Sequence, residues 1–282
     1  MSRNSYSLSN RSARRRKMMI HLQQDQVECS EVQRDATPSN SSRKSGKLNG
    51  TSSHSDSRSS LEFALLQKRI EQKETMRWVF AGDSESCSTF NSQKTFLREI
   101  EDYTKSKLHR DSDIFVNATY AGARLDHVRK RIQIRFSQFQ PEVVIVMCGF
   151  AECQSGVEKC SDFEMSFIAL LKDIEKVGAI PIVCTPPHSD VSAEAEGHID
   201  RLIFIEAIRG CVVEHSGLLI DFWADWENQS DSEKFWDAAN LRPTPAGLQR
   251  TKKFFLSQLD LLQPENASAQ KVRKSLQTSQ ES

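Results

Sequence analysis

Five short apolar runs, separated by stretches of helical spacing, limit this chain to one kind of architecture. The runs are Arg77–Ala81, Asp113–Asn117, Val143–Met147, Ile180–Cys184 and Leu218–Asp221. None alternates polar with apolar residues, as a strand with one wet face would. Such runs are buried on both faces, which is the habit of a parallel sheet. Apolar residues recur three or four apart between them, as in Phe163, Phe167, Leu170 and Ile174 after the third run. Strand–helix alternation predicts an α/β sandwich with a parallel sheet between helical layers.

The pattern sets the domain limits. It runs from Leu61, where Leu61, Leu65 and Leu66 suggest a short lead-in helix, to residue 263; residues 264–282 read as a loose polar tail. Residues 1–60 hold sixteen serines and almost no aromatics, too little apolar surface to offset the entropy of ordering them, so they read as disordered. They carry eleven Lys/Arg against five Asp/Glu; the whole chain balances at 38 and 38, so the remainder is net acidic by six. This basic stretch has three readings: a solvated tail, an organelle transit peptide, or an arm for an anionic partner such as nucleic acid or lipid. A start at Met18 or Met19 is a further possibility. No secretory signal and no span of transmembrane length is seen, and a cytoplasmic location is expected.

Seven cysteines form no CxxC pair, and Cys148, Cys184 and Cys211 sit in apolar stretches as small hydrophobes. A reducing compartment fits them. Cys153 and Cys160 have no histidine at a metal-ligand spacing, so no metal and no cofactor is expected. Phe222, Trp223, Trp226, Phe235 and Trp236 follow the last strand. They either pack the core and rim or line a pocket for a sugar or acyl group. The basic run Arg124–Arg135, with Arg129, Lys130, Arg131 and Arg135, is either a solvated helix face or an anion contact.

Ligands of parallel sheets bind beyond the carboxyl ends of the strands. The residues there are Gly82-Asp83-Ser84, Ala118–Gly122, Cys148–Cys153, Thr185–Asp190 and Phe222–Trp226. In order, RWVFAGDSES, VNATYAGAR, PEVVIVMCGFAEC and RPTPAG resemble the four blocks of the SGNH, or GDSL, hydrolases across about Arg77 to Leu259; PIVCTPPHS resembles their fourth strand and its loop. The resemblance implies a flavodoxin-like three-layer α/β/α sandwich with a five-stranded parallel sheet. It also implies serine ester hydrolysis, with Ser84 at the nucleophile position, Gly122 giving an oxyanion N–H, and Asp83 supporting the turn.

Other positions depart from the family pattern. Its block-three asparagine is here Ala151, followed by Glu152. Without gaps, its catalytic aspartate and histidine fall on Ala239 and Arg242. A methyl group donates no hydrogen bond, and a guanidinium has no lone pair to take a proton. A second register sets Asp237 and Asn240 on the aspartate and histidine positions, but an amide is no base either. His188 is the candidate substitute base, ahead of His198 and His127; Glu152 or Asp83 could instead polarise a water or bind a cation. The expectation is a hydrolase-like protein with lost or strongly impaired turnover, acting as a binding or regulatory module on an acyl or sugar-ester ligand. The alternatives are an active esterase using Ser84 with a non-standard base, and a scaffold whose basic tail is the working part.

Overall fold

The computed structural model describes residues 52–72, 74–83, 95–187, 198–215, 217–229, 234–237 and 242–262. In chain order these form α1 (Ser52–Glu71), β1 (Arg77–Asp83), α2 (Phe96–Leu108), β2 (Ile114–Tyr120), α3 (Leu125–Phe139), β3 (Val143–Met147), α4 (Phe150–Cys153), α5 (Cys160–Lys176), β4 (Ile180–Cys184), α6 (His198–Glu214), β5 (Leu218–Ile220), α7 (Phe222–Glu227), β6 (Trp236–Asp237), β7 (Arg242–Pro243) and α8 (Pro245–Gln258). The five main strands form one sheet in the order β2-β1-β3-β4-β5, every pair parallel. β6 and β7 make a small antiparallel hairpin.

The absence of alternation in the runs is explained by two cores. Val79 and Ala81 of β1, with Val144 and Val146 of β3, face α3, α5 and α6. Trp78 and Phe80, with Val143, Ile145 and Met147, face α1, α2 and α8. Side chains still alternate between faces, but both faces are apolar. β2 is an edge strand and only partly buried. Its Asn117 Oδ1 accepts the Thr119 N–H at 2.9 Å, so one outward-facing donor is already satisfied.

Two differences from the sequence reading concern the amino edge of the sheet. α1 begins at Ser52, nine residues before Leu61, and bars that edge. Its Glu62 accepts the Gly217 N–H at 2.7 Å, and its Arg69 donates to the carbonyls of Glu142 and Gly178 at 2.8 and 3.2 Å. β2 begins at Ile114 rather than Asp113 and runs on to Tyr120, because Asp113 is an anchor. Its carboxylate accepts from Met76 N–H, Trp78 Nε1–H and the Arg110 guanidinium at 2.7–3.0 Å. Arg110 in turn donates to the carbonyls of Ile70, Gln72 and Glu74. Both side chains are buried.

The runs of residues 1–51 and 263–282 lie outside the described residues. Among the described residues, no helix is long and apolar enough to cross a membrane.

Candidate active site

The carboxyl edge gathers the ends of all five parallel strands. β1 ends in Gly82-Asp83, with Asp83 buried. Gly82 is required by contact: its φ is +123°, and a Cβ there would lie 1.8 Å from the Met147 carbonyl oxygen of β3. Only a residue without a side chain lets β1 and β3 approach so closely at the mouth.

Three carboxylates lace the strand ends together. Asp83 accepts the Gly122 N–H at 3.1 Å, tying the end of β1 to the loop after β2. Gly122 holds a left-handed conformation at φ +64°. Glu152 accepts the Leu125 N–H at 2.5 Å and the Gly149 N–H at 3.1 Å, tying the start of α3 to the loop after β3. Asp221 accepts from the Thr185 hydroxyl at 3.0 Å and the Ala224 N–H at 3.1 Å, joining the ends of β4 and β5 and capping α7. Arg209 of α6 holds the other Asp221 oxygen at 2.7 Å. Thr185 also accepts the Trp223 N–H at 3.0 Å.

Glu152 is 8% exposed. Burial pushes its carboxyl above the usual range, against the pull of the Leu125, Gly149 and own-backbone N–H groups and of Arg124. Its neighbour Ala151 is also buried and presents only a methyl group there, which donates no hydrogen bond.

The last block forms the hairpin and the start of α8. Arg242 on β7 is the register partner of Asp237 on β6. Thr244 caps α8, accepting the Gly247 N–H at 3.1 Å. A Cβ on Gly247 would meet the Phe235 carbonyl oxygen at 2.1 Å, which accounts for the glycine that ends RPTPAG.

Several expected residues fall elsewhere. Ser84, His188 and Ala239 lie outside the described residues, as does Asn240 of the second register. His127 is exposed on α3 beside Asp126, and His109 and His215 follow α2 and α6 at the opposite edge. Phe222, Trp223, Trp226 and Trp236 are buried, and Trp226 meets Phe235 at 5.6 Å and Trp236 at 6.4 Å. Core and rim packing therefore accounts for this aromatic cluster. The basic run is divided between partners: Arg129 donates to Asp173 at 2.7 Å, and Arg131 lies 4.5 Å from the Tyr120 ring centroid. Cys153 directs its thiol to the Phe150 carbonyl and Cys160 towards that of Ile203. Burial pushes both thiols up to about 11, so neither is a ready thiolate.

No pattern of residues signals the Thr185–Asp221–Arg209 network, nor Arg201 at this edge. The only signal for the first was position, since Thr185 and Asp221 each follow a strand directly.

No family model matches the chain, and no curated protein matches it. Solved structures do. A lipase/acylhydrolase from Enterococcus faecalis is 16% identical with a TM-score of 0.55, over 68% of this chain and 100% of its own. A GDSL-like lipase from Parabacteroides merdae is 17% identical with a TM-score of 0.59, over 68% and 99%. A catalytic mutant of an acetylxylan esterase from Geobacillus stearothermophilus is 14% identical with a TM-score of 0.55, over 67% and 96%. Sheet order, parallel strands and these likenesses together establish that the chain has the SGNH, or GDSL, hydrolase fold.

Proposed function

We propose that this SGNH-fold protein has lost efficient ester hydrolysis and uses the old mouth as a binding or regulatory module for a small acyl or sugar-ester ligand. The observation that carries the reading is the buried methyl of Ala151 beside the inward-turned carboxylate of Glu152. An oxyanion hole depends on donors already in place, and losing one costs on the order of a hundred- to thousandfold in turnover. Arg242, at the position of the base, lies on a strand opposite Asp237, and guanidinium does not take up a proton near neutral pH. A serine without its general base loses about a millionfold. These losses are not additive, but either one suffices to silence ordinary turnover.

A second reading has one observation in its favour. The Asp83–Gly122 bond keeps the first two blocks assembled, which suits a chain that still hydrolyses an activated ester from Ser84 with a non-standard base. Short-chain ester hydrolysis by the full chain and by Ser84→Ala separates the two. The first reading expects equal, near-background rates. Serine-dependent turnover well above background, or phosphonate labelling of Ser84, establishes the second instead.

A further inference from the structure

β5 ends the sheet on the side opposite β2, and its outer edge is open. Backbone groups point alternately to the two sides along a parallel strand. The Ile220 carbonyl accepts the Thr185 N–H at 3.1 Å, so Leu218 and Ile220 turn their backbone groups to β4. Gly217, Leu219 and Asp221 turn theirs away. The Gly217 N–H goes to Glu62 at 2.7 Å, and the Gly217 carbonyl accepts the Ser59 hydroxyl at 3.5 Å. The Asp221 carbonyl accepts the Asp225 N–H at 3.1 Å in the first turn of α7. Among the described residues, no group bonds the N–H or C=O of Leu219, which is half-buried. On its α1 and α8 side the edge borders a cleft of about 460 Å³, lined by Phe63, Leu218, Ile220 and Leu259 among others.

On its other side the edge carries a stripe of α6. Leu202, Glu206, Arg209 and Val213 recur at intervals of four, three and four residues, so they share one helix face. Arg209 reaches Asp221 at the end of β5, and Leu202 and Leu219 both lie partly buried at the margin of one core. The stripe therefore follows the open edge. Val213 is 57% exposed. An acid and a base stand in the middle of this stripe, with an apolar residue at each end.

We propose that β5 pairs antiparallel with β5 of a second copy of this chain, about a two-fold axis normal to the sheet, so that two five-stranded sheets become one. In an antiparallel pair, opposed residues can exchange both backbone bonds. One open residue on each chain then suffices, and Leu219 meeting its own copy is self-complementary, as a two-fold contact requires. Such an axis keeps each helical layer on its own side of the sheet and sets the two α6 helices antiparallel. Leu202 then faces Val213 of the second copy, and Glu206 faces Arg209 of the second copy. The charges match across the contact, and the same pairs recur when the copies are exchanged. A foreign strand would meet Leu219 equally well but would leave the stripe without a counterpart. Two backbone bonds are too few to hold a dimer, and the apolar cleft and the stripe supply the remaining surface. The opposite edge differs, because Asn117 of β2 already accepts the Thr119 N–H.

The test is sedimentation of the full chain across the micromolar to millimolar range, with amide hydrogen exchange on the same samples. A two-chain mass is expected, with the Leu219 amide protected at high concentration and fast on dilution. Glu206→Lys sets like charges against Arg209 of the second copy and should weaken association by about tenfold or more; a thermal melt checks that the variant folds. Cross-linking reads the register. Leu202→Cys combined with Val213→Cys should give a covalent dimer under a mild oxidant, while Val213→Cys alone should behave as wild type. The two positions lie about 16 Å apart along one helix, too far to bridge within a chain. A single-chain mass at every concentration overturns the inference. So does association indifferent to Glu206→Lys, a dimer whose Leu219 amide stays unprotected, or a double variant that does not link. A Leu219 amide protected in a monomer means that another segment of the chain covers the edge, and overturns it as well.

Discussion

At the scale of single residues, Glu152 gives the mouth a dependence on pH with a definite sign. Burial is the largest influence and raises its pKa in the folded chain. A raised folded pKa means that the folded state holds the proton more tightly than the unfolded chain does. That contribution to stability is complete below the unfolded pKa and is lost as pH rises through the raised value. Glu152→Gln keeps an acceptor for the latch but cannot ionise. Urea unfolding at a series of pH values should therefore show the variant gaining on wild type as pH climbs from about 4 to about 7. A difference that is flat, or slopes the other way, removes Glu152 from the account. The two motif glycines give a second contrast at this scale. Gly82→Ala drives a Cβ into the Met147 carbonyl and should cost about 3 kcal/mol or more. Gly122 has open space around its would-be Cβ, so Gly122→Ala should cost only about 1 kcal/mol, for the left-handed conformation alone. Both glycines were visible as motif members in the sequence. Their different needs were not, because one arises from contact between β1 and β3, which share no local pattern.

At the scale of elements, the strands were legible and their anchors were not. A strand buried on both faces leaves an uninterrupted apolar run, as β3 and β4 do; the run of β2 marked its strand too, although that edge strand is only partly buried. Asp113 looked like the polar first residue of one of them. It is instead half of a buried pair with Arg110, and their three-residue spacing over a loop resembles any polar turn. α1 was legible only from Leu61, because Ser52–Ser60 carries no apolar spacing to mark it as helix. The pair can be tested directly. Asp113→Ala leaves the Arg110 guanidinium buried without its carboxylate and strands the donors of Met76 and Trp78. Breaking a buried pair from one side costs about 3–5 kcal/mol, and the denaturation midpoint should fall accordingly with an unchanged m-value. A loss under about 1 kcal/mol would mean that water reaches Arg110 and restores its partners.

For the whole molecule, the two edges of the sheet differ in how far their bonds reach. At the amino edge, Arg110, Asp113, Arg69 and Glu142 join the α1 bar to the starts of several strands. Arg77 donates to Glu142 with both its guanidinium and its backbone N–H, so the edge is cross-linked in sequence-distant steps. At the carboxyl edge, the lacing carboxylates join loops whose strands are adjacent in the chain or in the sheet: β1 to β2, β2 to β3 and β4 to β5. Loosening the first edge should then unfold the sheet, while loosening the second should open the mouth alone. Amide hydrogen exchange distinguishes these outcomes, because local and global openings differ in which amides exchange together. Asp113→Ala should speed exchange across β1, β3 and β4 in parallel. Glu152→Ala should speed the Leu125 and Gly149 amides and leave those strands at the wild-type rate. Ala151 and Arg242 both lie at the carboxyl edge, beside bonds whose loss should leave the sheet intact. If Glu152→Ala instead accelerates the central strands, the mouth is part of the cooperative core and that division fails.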